Sequence, residues 1–265
     1  GKTTTALNLG AALTAEGQKV LLIDNDPQGN LTAALGYTAG KMKHTLASLL
    51  LAAIDYPEDI AQHLQKAILH NDTGMDIVPA NRRLADAAAR LQIMQLSQYQ
   101  PYGDSGRSCE AMLKHITDTL RDTYRYIIID CGLKHELLTV NALVAADSVL
   151  IPMQCEYYAL EGIADLMTTI KMCNKRLNPS LRIQRIVLTM YDGRTNLSMQ
   201  VAEEVKRHFP GKVFATVIPR NVRLSEAPSH GKPVNYYDGS SRGSVAYKQL
   251  TEEILERNPL PRKEG

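Results

Sequence analysis

Residues 1–30 read GKTTTALNLGAALTAEGQKVLLIDNDPQGN, and the order of patterns inside this stretch decides the fold class. Thr3 to Glu16 carries Leu7, Leu9, Ala11, Ala12 and Leu13 as an apolar helical face. Gly17 follows where a helix C-cap belongs. Lys19-Val-Leu-Leu-Ile-Asp24 is then apolar throughout, which marks a strand buried on both faces rather than an alternating, half-buried one. A helix leading into such a strand predicts an α/β fold with a mostly parallel sheet and helices on both faces.

The same signature recurs in residues 126–130 (YIIID), 148–152 (SVLIP), 186–190 (IVLTM) and 213–218 (VFATVI), and more weakly in 75–78. Helical patterns lie between them, near 45–53, 58–69, 81–94, 107–122, 137–146, 158–176, 196–209 and 241–257. Gln95 to Gly106 is the longest loop-like stretch, and no repeat or linker divides the chain. A single domain over residues 1–265 is expected.

With 265 residues, 44% hydrophobic and 22% charged, the composition is that of an ordinary globular protein, which excludes collagenous, low-complexity and disordered classes. The most apolar run, Leu137 to Pro152, is broken by Asn141 and Asp147, so no membrane span is expected. No signal-peptide pattern opens the chain. Cys109, Cys131, Cys155 and Cys173 lie 22, 24 and 18 residues apart, without a metal-ligand spacing, and are expected as reduced thiols of a cytoplasmic protein. His44, His63, His70, His115 and His208 have no metal spacing either and read as solvated helix residues. Tyr157 and Tyr158, at a helix start, read as packing groups.

The formal charge of +2 hides an asymmetry. Residues 1–170 hold 13 Lys/Arg against 19 Asp/Glu, whereas residues 171–265 hold 17 against 9. The basic third suits a polyanion, since each cation that neutralises a phosphate releases a counterion. Unevenly spread, solvated helix faces would produce the same count.

Gly1-Lys2-Thr3-Thr4 opens the first helix and matches the end of a phosphate-binding loop, GxxxxGK[ST]. Lys2 would place its charge on the β- and γ-phosphates, Thr3 would hold Mg²⁺ through its hydroxyl, and free N–H groups of the first turn would meet the phosphates. Strand 19–24 delivers Asp24 and then Asp26; strand 126–129 delivers Asp130. Ligands of open α/β sheets bind beyond the carboxyl ends of the strands, so adjacent strands would bring these carboxylates to the edge where Lys2 lies. Taken singly, GKT at a helix start or one Asp after a strand is commonplace, the latter as a helix N-cap.

GKTTTALNLGAAL, VLLIDNDPQGNLT, YIIIDC, LLTVNALVAADSVLIPMQCEYYALEGI, YDGRTNLS and TVIPRNVRLSEAPSHGKPV together resemble the ParA/Soj family of chromosome- and plasmid-partitioning ATPases, over nearly the whole chain. The resemblance implies a P-loop NTPase with a deviant Walker A motif (SIMIBI-like) that binds ATP and Mg²⁺ in a homodimer sandwich. It further implies non-specific DNA binding, a cytoplasmic, nucleoid-associated location, and hydrolysis stimulated by a ParB-type centromere-binding protein. By this resemblance Gly1, Lys2, Thr3 and Thr4 belong to the nucleotide loop, with Lys2 also catalytic. Asp26 positions the attacking water, Asp130 is the Walker B carboxylate, and Thr3, Asp26 and Asp130 form the Mg²⁺ side. Pro219 and Asn221 pack around adenine, and Arg194 and Arg223 contact DNA.

Two departures stand out. The family loop begins KGGVGKTT after a β-strand that lies inside the sheet, and this sequence starts at the second half of that loop, without the signature lysine. Absence of that strand would leave its neighbours with unpaired N–H and C=O groups. Where the family reads DCPPSLGLLT, residues 130–139 read DCGLKHELLT, so Gly132 and Leu133 replace two prolines and Lys134, His135 and Glu136 add charge. A drifted surface loop and an altered active site both fit that change. A second class is therefore a relative that binds nucleotide or DNA without hydrolysis. A membrane-cycling relative of the MinD type would need a basic amphipathic C-terminal helix, and TEEILERNPLP is acidic and ends in proline. Nitrogenase-reductase relatives would need cluster cysteines.

Overall fold

Apolar residues 20–23 form the strand at the centre of a sheet whose two faces are both covered. The computed structural model describes residues 1–98, 108–132, 136–156 and 159–258. In chain order the elements are α1 (Lys2–Ala15), β1 (Val20–Asn25), α2 (Asn30–Ala34), α3 (Leu46–Asp55), α4 (Ile60–Ala67), β2 (Leu69–His70), β3 (Asp76–Val78), α5 (Arg83–Gln98) and α6 (Met112–Asp118). There follow β4 (Tyr126–Cys131), α7 (Glu136–Ala145), β5 (Ser148–Gln154), α8 (Ala159–Arg176), β6 (Arg182–Thr189), α9 (Asn196–His208), α10 (Val222–Glu226), α11 (Val234–Tyr237) and α12 (Arg242–Arg257).

β1 runs parallel to both β3 and β4, in a sheet of order β2-β3-β1-β4 with only β2 antiparallel. Alternate β1 side chains enter different cores, as the period of two requires. Leu21 and Ile23 pack with Leu49 and Leu50 of α3, Leu84 and Leu91 of α5, and Ile116 of α6. Val20 and Leu22 pack on the other face with Leu7 and Leu13 of α1 and Tyr247, Leu250 and Ile254 of α12. Gly10 permits the close approach of α1, because a Cβ there would stand 2.8 Å from Leu22 Cδ2. A third core joins β5 and β6 to α8 and α9 through Ile151, Ile186, Leu188, Ile170 and Val205.

The parallel sheet is interrupted. The four-stranded part ends at β4 and the two-stranded part, β5-β6, ends at β5, while α1 packs against both strands. Residues 126–129 of β4 are only half-buried, whereas all of β1 is buried.

Several expectations change. Residues 213–218 form no regular strand; the segment follows β6 through the bridges Ile186–Val213 and Tyr191–Pro219 and through the Phe214 and Ile218 N–H groups, which donate to Ile186 O and Leu188 O at 2.9 and 2.8 Å. The reason lies far along the chain: the Ala215 and Thr216 N–H groups donate to the Glu253 carboxylate of α12 at 3.2 and 3.1 Å, which takes them out of any ladder. α5 continues to Gln98, into the stretch expected as loop, and α6 is shorter than its pattern. His70 lies on β2 rather than a helix and pairs with Asp76 at 2.6 Å. Loop residues 99–107 and Tyr157 and Tyr158 lie outside the described residues. All four cysteines are free.

Burial alone would raise the Glu253 pKa, but hydrogen bonds from the Thr216 and Ala215 N–H groups and the charge of Arg257 outweigh it and hold the carboxyl below its ordinary value. Glu253→Ala should therefore cost about 1–2 kcal/mol at neutral pH in denaturant melts. Because the folded-state pKa is depressed, that difference should shrink as pH falls through the unfolded and then the folded pKa of Glu253, below the ordinary Glu range. An Ala variant as stable as the parent at neutral pH would refute the assignment.

Candidate functional site

Parallel pairing of β1 and β4 sets Asp24 directly beside Asp130 at the carboxyl edge of the sheet. The N-terminus of α1 meets the same edge. Gly1 is its N-cap and accepts the Thr5 N–H at 2.9 Å, and no side chain caps the turn. The N–H groups of the first turn are thus free of intrahelical acceptors and carry the positive end of the helix dipole. Thr189, the last residue of β6, abuts this turn: a Cβ on Gly1 would stand 3.1 Å from Thr189 Oγ1.

The two strand-end carboxylates have different tasks. Asp24 is fully buried and accepts the Thr32 N–H at 2.8 Å, the Thr32 hydroxyl at 2.6 Å and the Asp26 N–H at 3.3 Å. Thr32 Oγ1 in turn accepts the Ala80 N–H at 2.9 Å. Burial pushes the Asp24 pKa up, with the Thr32 bonds opposing. Asp24 is therefore a clamp that fixes the DPQGN turn and the start of α2 against the chain after β3.

Asp130 is 3% exposed, and neither carboxylate oxygen has a hydrogen-bond partner at normal distance among the described residues. Burial pushes its pKa up to about 6; the negative charges of Asp24 and Asp26 add to this, and the nearby Thr3 hydroxyl and Lys2 ammonium oppose it. A buried carboxylate with open lone pairs is costly unless a donor or cation meets it. Among the described residues no three His, Cys, Asp or Glu side chains form a metal cage. One buried carboxylate beside a threonine and a lysine instead fits Mg²⁺ as that ion is commonly held, through one or two protein oxygens, retained waters and substrate phosphates.

Asp26 is half-buried, and its Oδ1 accepts the Gln28 N–H at 3.0 Å. Gly132 lies against it: a Cβ at 132 would stand 2.9 Å from Asp26 Cγ. The position where the family pattern has proline is thus the one that lets this carboxylate lie close to the backbone after Asp130. Leu133, Lys134 and His135 lie outside the described residues, and Glu136 begins α7, exposed.

Beyond β6, Met190 takes a left-handed backbone (φ 55°) and turns the chain into residues 191–194. Tyr191 N–H donates to Ile218 O at 3.1 Å and Arg220 N–H to Tyr191 O at 3.0 Å, so the Pro219 segment lies alongside. Tyr191, Asp192, Gly193, Arg194, Pro219, Arg220 and Arg242 line a cavity of about 400 Å³. Asn221 is not in that lining; its Oδ1 caps α10 by accepting the Arg223 N–H at 2.9 Å, which leaves its amide as a donor. Arg194 and Arg223 are both exposed and both paired within the chain, Arg194 with Asp192 and Arg223 with Glu226 and Asp238. Thr32, Thr189 and Arg242 escaped sequence reasoning; an isolated Thr or Arg carries no motif.

The AAA domain family matches residues 1–183. The sporulation initiation inhibitor protein Soj of Bacillus subtilis is 45% identical over 96% of this chain and 93% of its own length. The chromosome partitioning protein ParA of Caulobacter vibrioides is 44% identical over 97% and 90%. The chain belongs to the Soj/ParA family. Among solved structures, cobyrinic acid a,c-diamide synthase from Mycobacterium smegmatis with bound ADP and magnesium is 32% identical at a TM-score of 0.76, covering 99% of this chain and 91% of that one. The cell division ATPase MinD of Pyrococcus furiosus, at 24% identity and a TM-score of 0.70 over 97% and 94%, shares the fold. No helix of the described Soj/ParA chain is long and apolar enough to cross a membrane.

Thr32→Val tests the clamp. It removes a donor to a buried carboxylate and strands the Ala80 N–H, so it should destabilise the protein by about 2–4 kcal/mol in chemical denaturation. A loss within experimental error of zero would contradict the clamp.

Proposed function

We propose that the protein is an ATP-dependent partitioning ATPase that binds ATP and Mg²⁺ between two subunits and binds DNA without sequence preference. Hydrolysis is stimulated by a ParB-type partner, and the protein works in the cytoplasm on the nucleoid. The observation that carries this reading is Asp130, a buried carboxylate with no hydrogen-bond partner at normal distance among the described residues, beside Lys2, Thr3 and an uncapped helix N-terminus.

In this reading the N–H groups of Gly1 to Thr4 and the Lys2 ammonium bind the phosphates. Thr3 and Asp130 would hold Mg²⁺, whose charge would offset that of the phosphate oxygens. Asp26, fixed by the Gln28 N–H and by the Asp24 clamp behind it, orients the attacking water on the Mg²⁺ side. Pro219 covers the base and the Asn221 amide donates to it. Arg194 and Arg223 face the DNA.

Lys2→Ala should abolish ATP binding in calorimetry. Asp26→Ala should bind ATP normally and lose about a hundredfold or more in turnover, since a group that orients a proton-transferring water is worth that much. Turnover unchanged in Asp26→Ala would refute its role. The close approach of Gly132 to Asp26 favours a second reading, binding without hydrolysis. Intact MgATP binding with no turnover in the presence of DNA and the ParB-type partner would select it.

A further inference from the structure

The cation assigned to DNA, Arg194, is not free. Its Nε and Nη2 donate to the two carboxylate oxygens of Asp192 at 2.9 and 2.8 Å, a bidentate pair. The Asp192 side chain is 20% exposed and also accepts the Arg194 backbone N–H at 3.1 Å, whereas the Arg194 side chain is 89% exposed. The carboxylate is anchored, and the guanidinium can swing away from it. Arg220 and Arg242 line the same cavity and make no ion pair among the described residues.

We propose that Asp192 is a built-in counter-anion that competes with a DNA phosphate for Arg194, and that Arg220 and Arg242 are the cations that meet the DNA backbone first. The proposal rests on the DNA-binding reading above. An exposed ion pair is weak in water, so a phosphate brought close by two free guanidinia can displace the carboxylate. The exchange lowers affinity and salt dependence together. When Arg194 moves to a phosphate, the DNA releases a counterion but Asp192 takes one up, so the net release is smaller than for a free arginine. The electrostatics agree: Arg194 foremost, and Arg220 at longer range, hold the Asp192 carboxyl down to about 2, so it stays charged and competitive throughout the physiological range.

The test uses the full-length protein with Mg²⁺ and ATP, random-sequence duplex DNA, and fluorescence anisotropy over a range of salt. Asp192→Asn keeps the acceptor for the Arg194 N–H and should bind DNA about three- to fivefold more tightly, with a salt slope steeper by up to about one unit. Asp192→Ser, a second variant without the charge, should do the same. The gain should disappear in an Arg194→Ala background, where a general charge effect would persist. Arg220→Ala and Arg242→Ala should each weaken binding for all sequences and flatten the slope by about one unit. Unchanged affinity in both Asp192 variants, or a gain that survives Arg194→Ala, overturns the competition while leaving the DNA-binding reading intact. Tighter binding of free ATP without tighter binding of DNA also overturns it. Absence of DNA binding by the unsubstituted protein overturns both.

Discussion

Parallel register between β1 and β4, with Asp24 beside Asp130, is the constraint on which the candidate site depends. Two carboxylates side by side in a buried sheet edge repel each other, and each is costly to desolvate. The chain resolves this by giving them different surroundings. Asp24 is saturated by Thr32 and the Asp26 N–H, whereas Asp130 is left open toward Lys2, Thr3 and the first turn of α1. Saturation of one makes it structural; the openness of the other is what the proposed cation site rests on. Gly10 holds α1 against Leu22, so the helix N-terminus stays in line with that opening.

Much of this was legible in the sequence because burial on both faces leaves a simple mark. The apolar runs at 20–24, 126–130 and 148–152 became β1, β4 and β5, and the residues ending them, Asp24 and Asp130, came to one edge. The apolar run 213–218 did not become a strand, because one distant carboxylate, Glu253, takes two N–H groups that a ladder would need. Nothing local to 213–218 announces that. The difference between Asp24 and Asp130 was equally hidden, since it comes from a threonine eight residues after one of them and a loop around residue 80. Charge counting found the basic third but not its internal pairing, because Asp192, Glu226 and Asp238 are close to their arginines in space and the count records only totals.

The departure at Gly132 has a physical meaning that the motif comparison alone lacked. Without a Cβ, residue 132 leaves room for the Asp26 carboxyl against the backbone that follows Asp130. The same stretch therefore brings the Asp26 carboxyl against the backbone that leads on from Asp130. Membership of the Soj/ParA family fixes the context in which these contacts operate.

The central claim is that the open carboxylate of Asp130 and the uncapped start of α1 form a Mg²⁺–triphosphate site. A crystal structure of the full-length protein with Mg²⁺ and a non-hydrolysable ATP analogue tests it most directly. The account predicts the Thr3 hydroxyl at about 2.1 Å from Mg²⁺, Asp130 joined to the ion through water, and the Lys2 ammonium on the terminal phosphates. A nucleotide bound elsewhere, or a bound metal with Asp130 still without a partner, would contradict it.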